Sequence, residues 1–510
     1  MQTRHFVSIV ALALAPTSAA LFVACGESSD IGGIDSSESA GPTGGAGGGL
    51  GAGGNGEMPP PPPPPPPDSI DAGPDAPPAA CDTLDMSKPV VLYLSADDSN
   101  SMASPVHVRD LLSLGLAPLP HEVRTYEFLN YYHLDYPAPP PDNLAIFSEL
   151  QPNGAFGSFD FQIAVRSFDA IKPRRAMTIT FVLDTSGSMA GVGIERERAA
   201  VTAIAGSLAK GDIVNMVTWN TDNNVLLSGY AVAGPNDPKI LTLASSLQAS
   251  GGTDLHSGLV AGYGLAEQHY GLSRINRVLL ISDGGANVGV TDADFIGTKS
   301  LDADKEGIYL VGVGTGPPLS YADQLMDIVT DKGRGAYIYL DSTEEASRMF
   351  IDRFDESMEI AARAVQVELT MPWYFQMEKF YGEEYSTDPK VIEPQHLAPS
   401  DAMVLNQVLH ACDSSVIKNE DTITIRAKWK TPLTYTPKQT EFVTTVGDML
   451  AAPKPSLPKA KAIIAYAEAL KTPTKQSLAD AESKAIAADP TGTDPELNEI
   501  LSLLQKHPQF

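Results

Sequence analysis

The clearest hydrophobic pattern in the chain begins at Met177, where short apolar runs alternate with segments of helical spacing. The apolar runs cover Met177–Leu183, Ile213–Trp219, Val278–Ile281, Ile308–Val313 and Tyr337–Leu340. The helical segments cover Glu195–Leu208, Asp254–Gln268 and Thr343–Asp355. Continuous apolar runs of this length are typical of strands that are buried on both faces. The alternation therefore predicts an α/β domain with a doubly wound, mainly parallel sheet.

The segments on either side of this domain follow other patterns. Before it, a strand-like run at Val90–Leu94, two helical stretches and alternating residues between 146 and 168 predict an α+β segment. After it, a series of short apolar runs predicts a β segment. We expect these two flanks to pack as one unit. The end of the chain has no strand signal, and it predicts a tail of Ala-rich helices broken at Pro473 and Pro490.

The first 80 residues carry targeting and tether signals. Arg4 is followed by a short apolar run, and this run ends just before Cys25. The stretch resembles the lipobox of bacterial lipoproteins, in which the cysteine becomes the acylated N-terminus, with Phe22 in the position usually held by leucine. The alternative is an ordinary signal peptide with an incidental cysteine. A Gly-rich stretch and the prolines Pro59–Pro67 then predict a spacer from the membrane or, alternatively, a docking site for a proline-binding module.

These patterns divide the chain into six parts. We expect a signal peptide at residues 1–24 and a disordered linker, rich in Gly and Pro, at 25–80. The other four parts are the N-terminal α+β flank at 81–175, the α/β domain at 176–356, the C-terminal β flank at 357–450 and the helical tail at 451–510.

The charge composition of the chain limits the classes of partner that we expect. The chain has 35 basic and 63 acidic residues and a formal net charge of −28. Nucleic acid is not expected as a partner, because its recognition requires a basic surface. An acidic surface is compatible with divalent cations.

Besides Cys25, the sequence contains Cys81 and Cys412, and in an exported protein these two can form a disulfide.

A motif of hydroxyl and carboxylate residues follows the first apolar run of the α/β domain. Asp184, Ser186 and Ser188 form an Asp-x-Ser-x-Ser pattern. Thr253 lies in a Gly-Gly-Thr-Asp segment, and Asp283 follows a later apolar run. In this order the residues resemble the metal-ion-dependent adhesion site of von Willebrand factor type A (VWFA) domains. In a doubly wound sheet, ligands bind at the C-terminal ends of the strands, where the strand order reverses.

The resemblance implies a Mg²⁺ site, with Mn²⁺ or Ca²⁺ as the other candidate ions. The hydroxyl groups of Ser186, Ser188 and Thr253 are neutral oxygen ligands, and Asp184 and Asp283 can bind the ion directly or through water. With few negative ligands, the ion favours a carboxylate from outside to complete its shell. We therefore expect an acidic side chain of a protein partner at this site, and we expect the site at an exposed edge of the sheet.

The same Asp-x-Ser-x-Ser pattern occurs a second time at Asp97–Ser101, also after an apolar run. This copy has no following Gly-Gly-Thr segment before the α/β domain begins, so we interpret it as a turn that leads into a helix. The adjacent His256 and Ser257 could suggest a hydrolase. However, neighbouring residues on a helix point about 100° apart, which places them poorly as base and nucleophile.

The sequence from about residue 90 to 445 resembles the YfbK-like family of bacterial VWFA lipoproteins. Segments that carry the resemblance, besides the metal motif, are Pro120–Arg124, Glu127–Tyr132 and Val311–Gly316. We expect a non-enzymatic, lipid-anchored protein of the cell envelope that binds a protein partner through its metal. Gly26, and not an Asp, follows Cys25, and by resemblance to bacterial lipoproteins this favours the outer membrane. The alternative is a structural scaffold in which the metal only stabilises loops. A metal-assisted hydrolase is disfavoured because no general base stands out near the ion.

Lipidation of Cys25 can be tested by cell fractionation. Because the acyl chains are the membrane anchor that we expect, Cys25→Ser should move the protein from the membrane fraction to the soluble fraction. Immunoblotting measures this partition, and Cys81→Ser is the matched control that keeps the anchor. Unchanged membrane partition of the Cys25→Ser protein would contradict the prediction.

Overall fold

The computed structural model describes residues 80–154, 157–285, 295–298 and 307–510. The expected signal peptide, Cys25 and the linker up to residue 79 lie outside these residues. In the described part, the chain forms an α/β domain, a β-sandwich to which both flanks contribute, and a helical tail. Among the described helices, none combines the length and the apolar character that crossing a membrane requires.

The strands and helices are numbered here in chain order. The strands are β1 (Val90–Ser95), β2 (Ala145–Pro152), β3 (Ser158–Arg166), β4 (Met177–Asp184), β5 (Ile213–Trp219), β6 (Asn223–Ala231), β7 (Ile275–Ser282), β8 (Tyr309–Gly314), β9 (Arg334–Tyr339), β10 (Ala362–Met371), β11 (Phe375–Phe380), β12 (Glu384–Ser386), β13 (Gln395–Leu397), β14 (Ala402–Ala411), β15 (Thr422–Lys430) and β16 (Pro437–Thr445). The principal α-helices are α1 (Ala103–Ser113), α2 (Thr125–Tyr131), α3 (Val192–Ser207), α4 (Pro238–Ser246), α5 (Leu255–Gln268), α6 (Asp323–Gly333), α7 (Thr343–Ser347), α8 (Phe354–Met358), α9 (Val446–Ala451), α10 (Leu457–Lys471), α11 (Lys475–Ala488) and α12 (Pro495–Lys506).

The α/β domain is built on a six-stranded sheet in the order β6-β5-β4-β7-β8-β9. Neighbouring strands are parallel except at the edge, where β5 and β6 are antiparallel. Every residue of β4 and β7 is buried, which requires cover on both faces of the sheet. The strand order reverses at β4, because β5 lies on one side of it and β7 on the other. This confirms the predicted doubly wound sheet and places a ligand crevice at the C-terminal end of β4.

Strands from both flanks form the sandwich. One of its sheets has the order β12-β1-β10-β15-β16, with β13 also paired to β10, and the other has the order β11-β14-β3-β2. In the first sheet β1 pairs antiparallel with β10, and in the second β3 pairs antiparallel with β14 along its whole length. Side chains from both flanks, such as Phe161 and Leu405, share one hydrophobic core. The flanks therefore pack as one unit, as expected from the sequence.

Three helices form the tail, and they break near the two prolines that the sequence indicated. Glu149 of β2 lies at the N-terminus of α10, where its carboxylate accepts hydrogen bonds from the backbone N–H groups of Ser456 (3.1 Å) and Leu457 (2.9 Å). The unpaired N–H groups and the positive end of the helix dipole favour the carboxylate here, although burial raises the pKa of Glu149 above its ordinary value. The tail is thereby fixed to the sandwich.

Some elements differ from the predictions. The sequence patterns missed β6, α4 and α6. The helix expected at Thr343–Asp355 is interrupted, because a π-helical segment, Arg348–Asp352, separates α7 from α8. The missed strand β6 is an edge strand with several exposed residues, so it has no continuous apolar run.

A disulfide joins Cys81, at the start of the described chain, to Cys412, which directly follows β14. The two Cα atoms are 5.1 Å apart, although the residues are 331 positions apart in sequence. The crosslink therefore closes a loop that contains the α/β domain and most of the sandwich.

Removal of this crosslink should destabilise the sandwich. For the Cys81→Ser, Cys412→Ser double variant we expect the free energy of unfolding to fall by about 2–5 kcal/mol, because the open chain gains conformational entropy on unfolding. Urea unfolding with and without reductant measures the effect, and reductant should weaken only the wild type. Two alkylatable thiols in the unreduced wild type would be the contrary result.

Candidate metal site

The loop that follows β4 brings two hydroxyl groups together. Ser186 and Ser188 lie on either side of Gly187, where a 3₁₀ turn begins that leads towards α3. Their Oγ atoms are 3.0 Å apart. Two adjacent ligands of an octahedral Mg²⁺, each about 2.0–2.1 Å from the ion, are about 2.9 Å apart. The two hydroxyl groups therefore have the spacing that one Mg²⁺ ion requires.

Asp184 lies beneath this pair at the end of β4. Its Oδ1 accepts a hydrogen bond from the backbone N–H of Ser186 (2.9 Å), and its Oδ2 accepts one from the hydroxyl of Ser282 (2.6 Å). Burial raises the pKa of the Asp184 carboxyl to about 6, although the hydrogen bonds from Ser282 and Ser186 act in the opposite direction. A cation nearby would favour the charged carboxylate that burial disfavours.

Asp283 approaches the same site from the end of β7. Its Oδ1 accepts a hydrogen bond from the backbone N–H of Gly285 (2.8 Å). A Cβ atom added to Gly285 would lie 2.9 Å from Asp283 Oδ1 and 3.3 Å from Ser188 Oγ. Both oxygen atoms thus border one narrow space, which only glycine leaves open. The carboxylate of Asp283 and the hydroxyl of Ser188 can therefore face one ion.

The loop that carries Thr253 packs against the Asp184–Ser188 loop. The backbone N–H of Gly187 donates to the carbonyl of Gly251 (3.2 Å), and that of Ser250 donates to the carbonyl of Thr185 (2.8 Å). Thr253 follows two residues later and is exposed. The structure thus brings its loop to the same edge of the sheet as the other candidate ligands.

The prediction that the candidate metal ligands lie at an exposed edge of the sheet is wrong for three of the five residues. Asp184 and Ser186 are completely buried, and Asp283 is 5% exposed. Ser188 and Thr253 are exposed. The carboxylates lie deep because they stand at the C-terminal ends of buried central strands, and Ser186 is buried with them, whereas Ser188 and Thr253 lie at the surface. A ligand that approaches from outside would thus meet Ser188 and Thr253 first.

Sequence reasoning did not find the polar residues that surround these ligands. Ser282 directly precedes Asp283 and could have been suspected from that position. Glu197 of α3 is completely buried near Asp184. Burial, followed by the nearby charge of Asp184, raises the pKa of Glu197 well above its ordinary value. No sequence signal distinguishes Glu197 from an exposed helical glutamate.

The second Asp-x-Ser-x-Ser copy has a structural role, as the sequence indicated. It lies in the turn between β1 and α1 and binds the C-terminal flank. Asp98 accepts a hydrogen bond from the backbone N–H of His396, and the hydroxyl of Ser99 accepts one from that of Ala398 (3.1 Å). Because these side-chain oxygens already bind backbone groups, the turn holds the two flanks together.

The described residues contain no group of three or more His, Cys, Asp or Glu side chains placed to hold a metal ion. A divalent ion at the end of β4 would therefore depend on hydroxyl ligands as well as carboxylates. Oxygen donors of this mixed kind suit Mg²⁺, which also retains water molecules readily. The donor set and the spacing of the two serine hydroxyls thus fit such an ion.

The doubly wound sheet and the residues at the end of β4 define a known class of domain. Residues 178–353 match the family model of the von Willebrand factor type A domain. The α/β domain of this chain is therefore a von Willebrand factor type A domain, as the resemblance predicted.

Beyond this domain, the chain is similar to the protein YfbK of Escherichia coli K12. The two are 25% identical over 463 residues, which cover 81% of this chain and 78% of YfbK. Human inter-alpha-trypsin inhibitor heavy chain H3 is 27% identical over 170 residues, or 32% of this chain and 19% of the human protein. The chain thus spans about a fifth of that relative. Among solved structures, a von Willebrand factor type A protein from Catenulispora acidiphila aligns with 72% of this chain and 97% of its own length, at 12% identity and a TM-score of 0.45.

The role of Asp184 can be tested with an isosteric substitution. Asp184→Asn removes the negative charge beside the ion, so the affinity for Mg²⁺ should fall at least about tenfold. Stability without metal should be unchanged or higher at pH 7, because the raised pKa shows that burial disfavours the charged carboxylate. Calorimetric titration and thermal unfolding in EDTA measure the two effects.

The matched control is Asp480→Asn, which makes the same charge change at an exposed position of α11. It should leave both the Mg²⁺ affinity and the stability unchanged. If the Asp184→Asn protein and the wild type bind Mg²⁺ with equal affinity, Asp184 is not part of the metal site.

Proposed function

We propose that this chain is a lipid-anchored protein of the cell envelope, at the outer membrane, that binds a protein partner through a divalent ion. Asp184, Ser186, Ser188, Thr253 and Asp283 hold the ion, which is Mg²⁺ in preference to Mn²⁺ or Ca²⁺. An acidic side chain of the partner completes the coordination shell, and the acyl chains on Cys25 hold the protein at the membrane.

The observation that carries the proposal is the 3.0 Å spacing of the Ser186 and Ser188 hydroxyl groups. Two carboxylates stand next to them, and both also accept hydrogen bonds from the protein. Such carboxylates can hold coordinated water molecules, which leaves positions on the ion for an outside ligand. The ion would then attract a partner carboxylate, because few negative ligands neutralise it.

The class of domain supports a binding role. Von Willebrand factor type A domains are typically protein-interaction or adhesion modules and often bind a divalent metal. The sequence offers no residue pair near the ion with the arrangement of a general base and its orienting group. Binding, and not catalysis, is therefore the function that we propose.

The test is metal-dependent capture of a partner by the full-length protein. The tagged protein is purified from detergent-solubilised envelopes in Mg²⁺ or in EDTA, and the co-purifying proteins are quantified by mass spectrometry. We expect one or more partners to be lost in EDTA and with Asp184→Asn. The same partners should persist with Asp480→Asn, the control with an equal charge change.

The scaffold hypothesis gives a different result. If the metal only stabilises loops, partners would persist in EDTA and with Asp184→Asn, although metal binding is lost. That outcome would overturn the proposal of metal-mediated adhesion.

A further inference from the structure

The segment between β8 and α6, residues 315–322, lies directly behind Asp283. The backbone N–H of Thr315 donates to the carbonyl of Ser282 (3.1 Å), and that of Ala322 donates to the carbonyl of Asp283 (3.3 Å). A Cβ atom added to Gly316 would come within 2.7 Å of Asp283 Cβ. The position of Asp283 therefore depends on where this segment, the buttress loop, is held.

Arg196 of α3 holds the buttress loop from the other side. Its Nη1 donates to the carbonyl of Gly316 (2.8 Å), and its Nη2 donates to the carbonyl of Asp341 (2.7 Å). The hydroxyl of Tyr339 also lies 2.7 Å from the Gly316 carbonyl oxygen and 3.1 Å from Arg196 Nη1. Two side chains of the α/β domain thus converge on one carbonyl group of the loop.

The charge that orients Arg196 comes from outside the α/β domain. Asp110 belongs to α1, a helix of the N-terminal flank, and its Oδ2 accepts a hydrogen bond from Arg196 Nη2 (2.8 Å). The same oxygen lies 2.9 Å from the Tyr339 hydroxyl. Asp110 and Arg196 are about one tenth exposed. Because they are nearly buried, the loss of one charge would leave the other without compensation.

The flank contacts the buttress loop at two further points. His107, also on α1, has its Nε2 atom 3.1 Å from the carbonyl oxygen of Pro318. Arg124, which precedes α2, binds both carboxylate oxygens of Asp323, where α6 begins. Asp110 thus acts on the start of the loop through Arg196, His107 contacts the loop near its middle, and Arg124 holds the residue that follows it.

We infer that Asp110 is a positioning residue of the metal site, acting through Arg196 and Gly316 on Asp283. This inference rests on the proposed metal binding. Asp110 orients the guanidinium group of Arg196, and this group donates a hydrogen bond to the carbonyl of Gly316. The buttress loop, held in this way, keeps the carboxylate of Asp283 directed towards Ser188. Divalent-ion affinity is therefore a property of the α/β domain together with its N-terminal flank, because a residue of that flank sets it.

The test uses the full-length protein and Mn²⁺ as the probe ion. For Asp110→Asn we expect an affinity for Mn²⁺ about tenfold lower, the effect typical of residues that orient metal ligands. Gly316→Ala should weaken binding as well, because the added methyl group pushes directly on Asp283. Calorimetric titration measures both affinities, and thermal unfolding in EDTA shows whether each variant is folded.

The matched control is Asp212→Asn. Asp212 forms a buried ion pair with Arg174 (2.6 Å) at the opposite edge of the same sheet, just before β4 and β5 begin. Loss of its charge should lower the unfolding temperature, yet leave the Mn²⁺ affinity within about twofold of wild type. A merely structural role of Asp110 would make the two variants behave alike, and this would overturn the inference.

A measurement without metal separates the two proposals. Hydrogen exchange in EDTA at the backbone N–H groups of Thr315 and Ala322 reports on the buttress loop itself. Exchange there should be faster in Asp110→Asn and unchanged in Asp212→Asn. If the wild type binds no Mn²⁺, the proposed function fails, whereas the exchange rates still decide whether Asp110 orders the loop. Unchanged exchange in Asp110→Asn would refute the positioning role.

Discussion

The pairing of β3 with β14 is the interaction on which the rest of the structure depends. It joins the strand that leads into the von Willebrand factor type A domain to a strand that follows it, with nine residue pairs in register. The whole α/β domain is thus an insertion between two hydrogen-bonded strands of the sandwich. All residues of β3 are buried, because the other sheet of the sandwich covers one face of the strand and helices cover the other. The ion pair of Lys461 with Asp160 and the cap that Glu149 provides for α10 hold the tail over this second face.

Charged groups, and not apolar surface alone, orient the inserted domain on the flank. Arg109 of α1 binds Asp341 and Glu345 of the α/β domain and also Glu499 of the tail, all at 2.9 Å or less. Replacing such buried pairs by apolar residues often costs little, but breaking one partner leaves an uncompensated charge and costs about 3–5 kcal/mol. Their contribution is therefore to geometry more than to stability. The pairs formed by Arg109 on α1 and by Arg124 just before α2 thus help to set how the two helices lie against the domain.

The sequence predicted the elements whose pattern is fixed by burial on all sides. Strands β4, β5, β7 and β8 lie within a few residues of their expected positions, because fully buried strands need continuous apolar runs. The edge strand β6 was not predictable in the same way, because its several exposed residues leave no continuous apolar run, although it pairs with the preceding strand β5. The break in the helix after β9 was not predictable either, because no local signal marks the π-helical segment. The same division applies to the site. Of the candidate metal ligands, Asp184, Ser186 and Ser188 share a local motif, whereas Glu197, Gly285 and the buttress loop reach the site only through the tertiary fold.

The buried carboxyl groups beside the candidate metal site affect how the stability of the folded state depends on pH. A carboxyl group whose pKa is raised by folding stabilises the folded state at low pH, and this contribution is lost as the pH rises through the folded pKa. For Asp184 that loss occurs between its ordinary pKa of 3.8 and about 6, so at neutral pH the charged group opposes folding. The pKa of Glu197, which burial and the charge of Asp184 raise well above its ordinary value, acts in the same direction. A bound divalent cation would replace the missing proton as the compensating charge and would stabilise the folded state by mass action. The buried carboxyl groups at the end of β4 thus lower the stability of the folded state at neutral pH in the absence of a compensating positive charge.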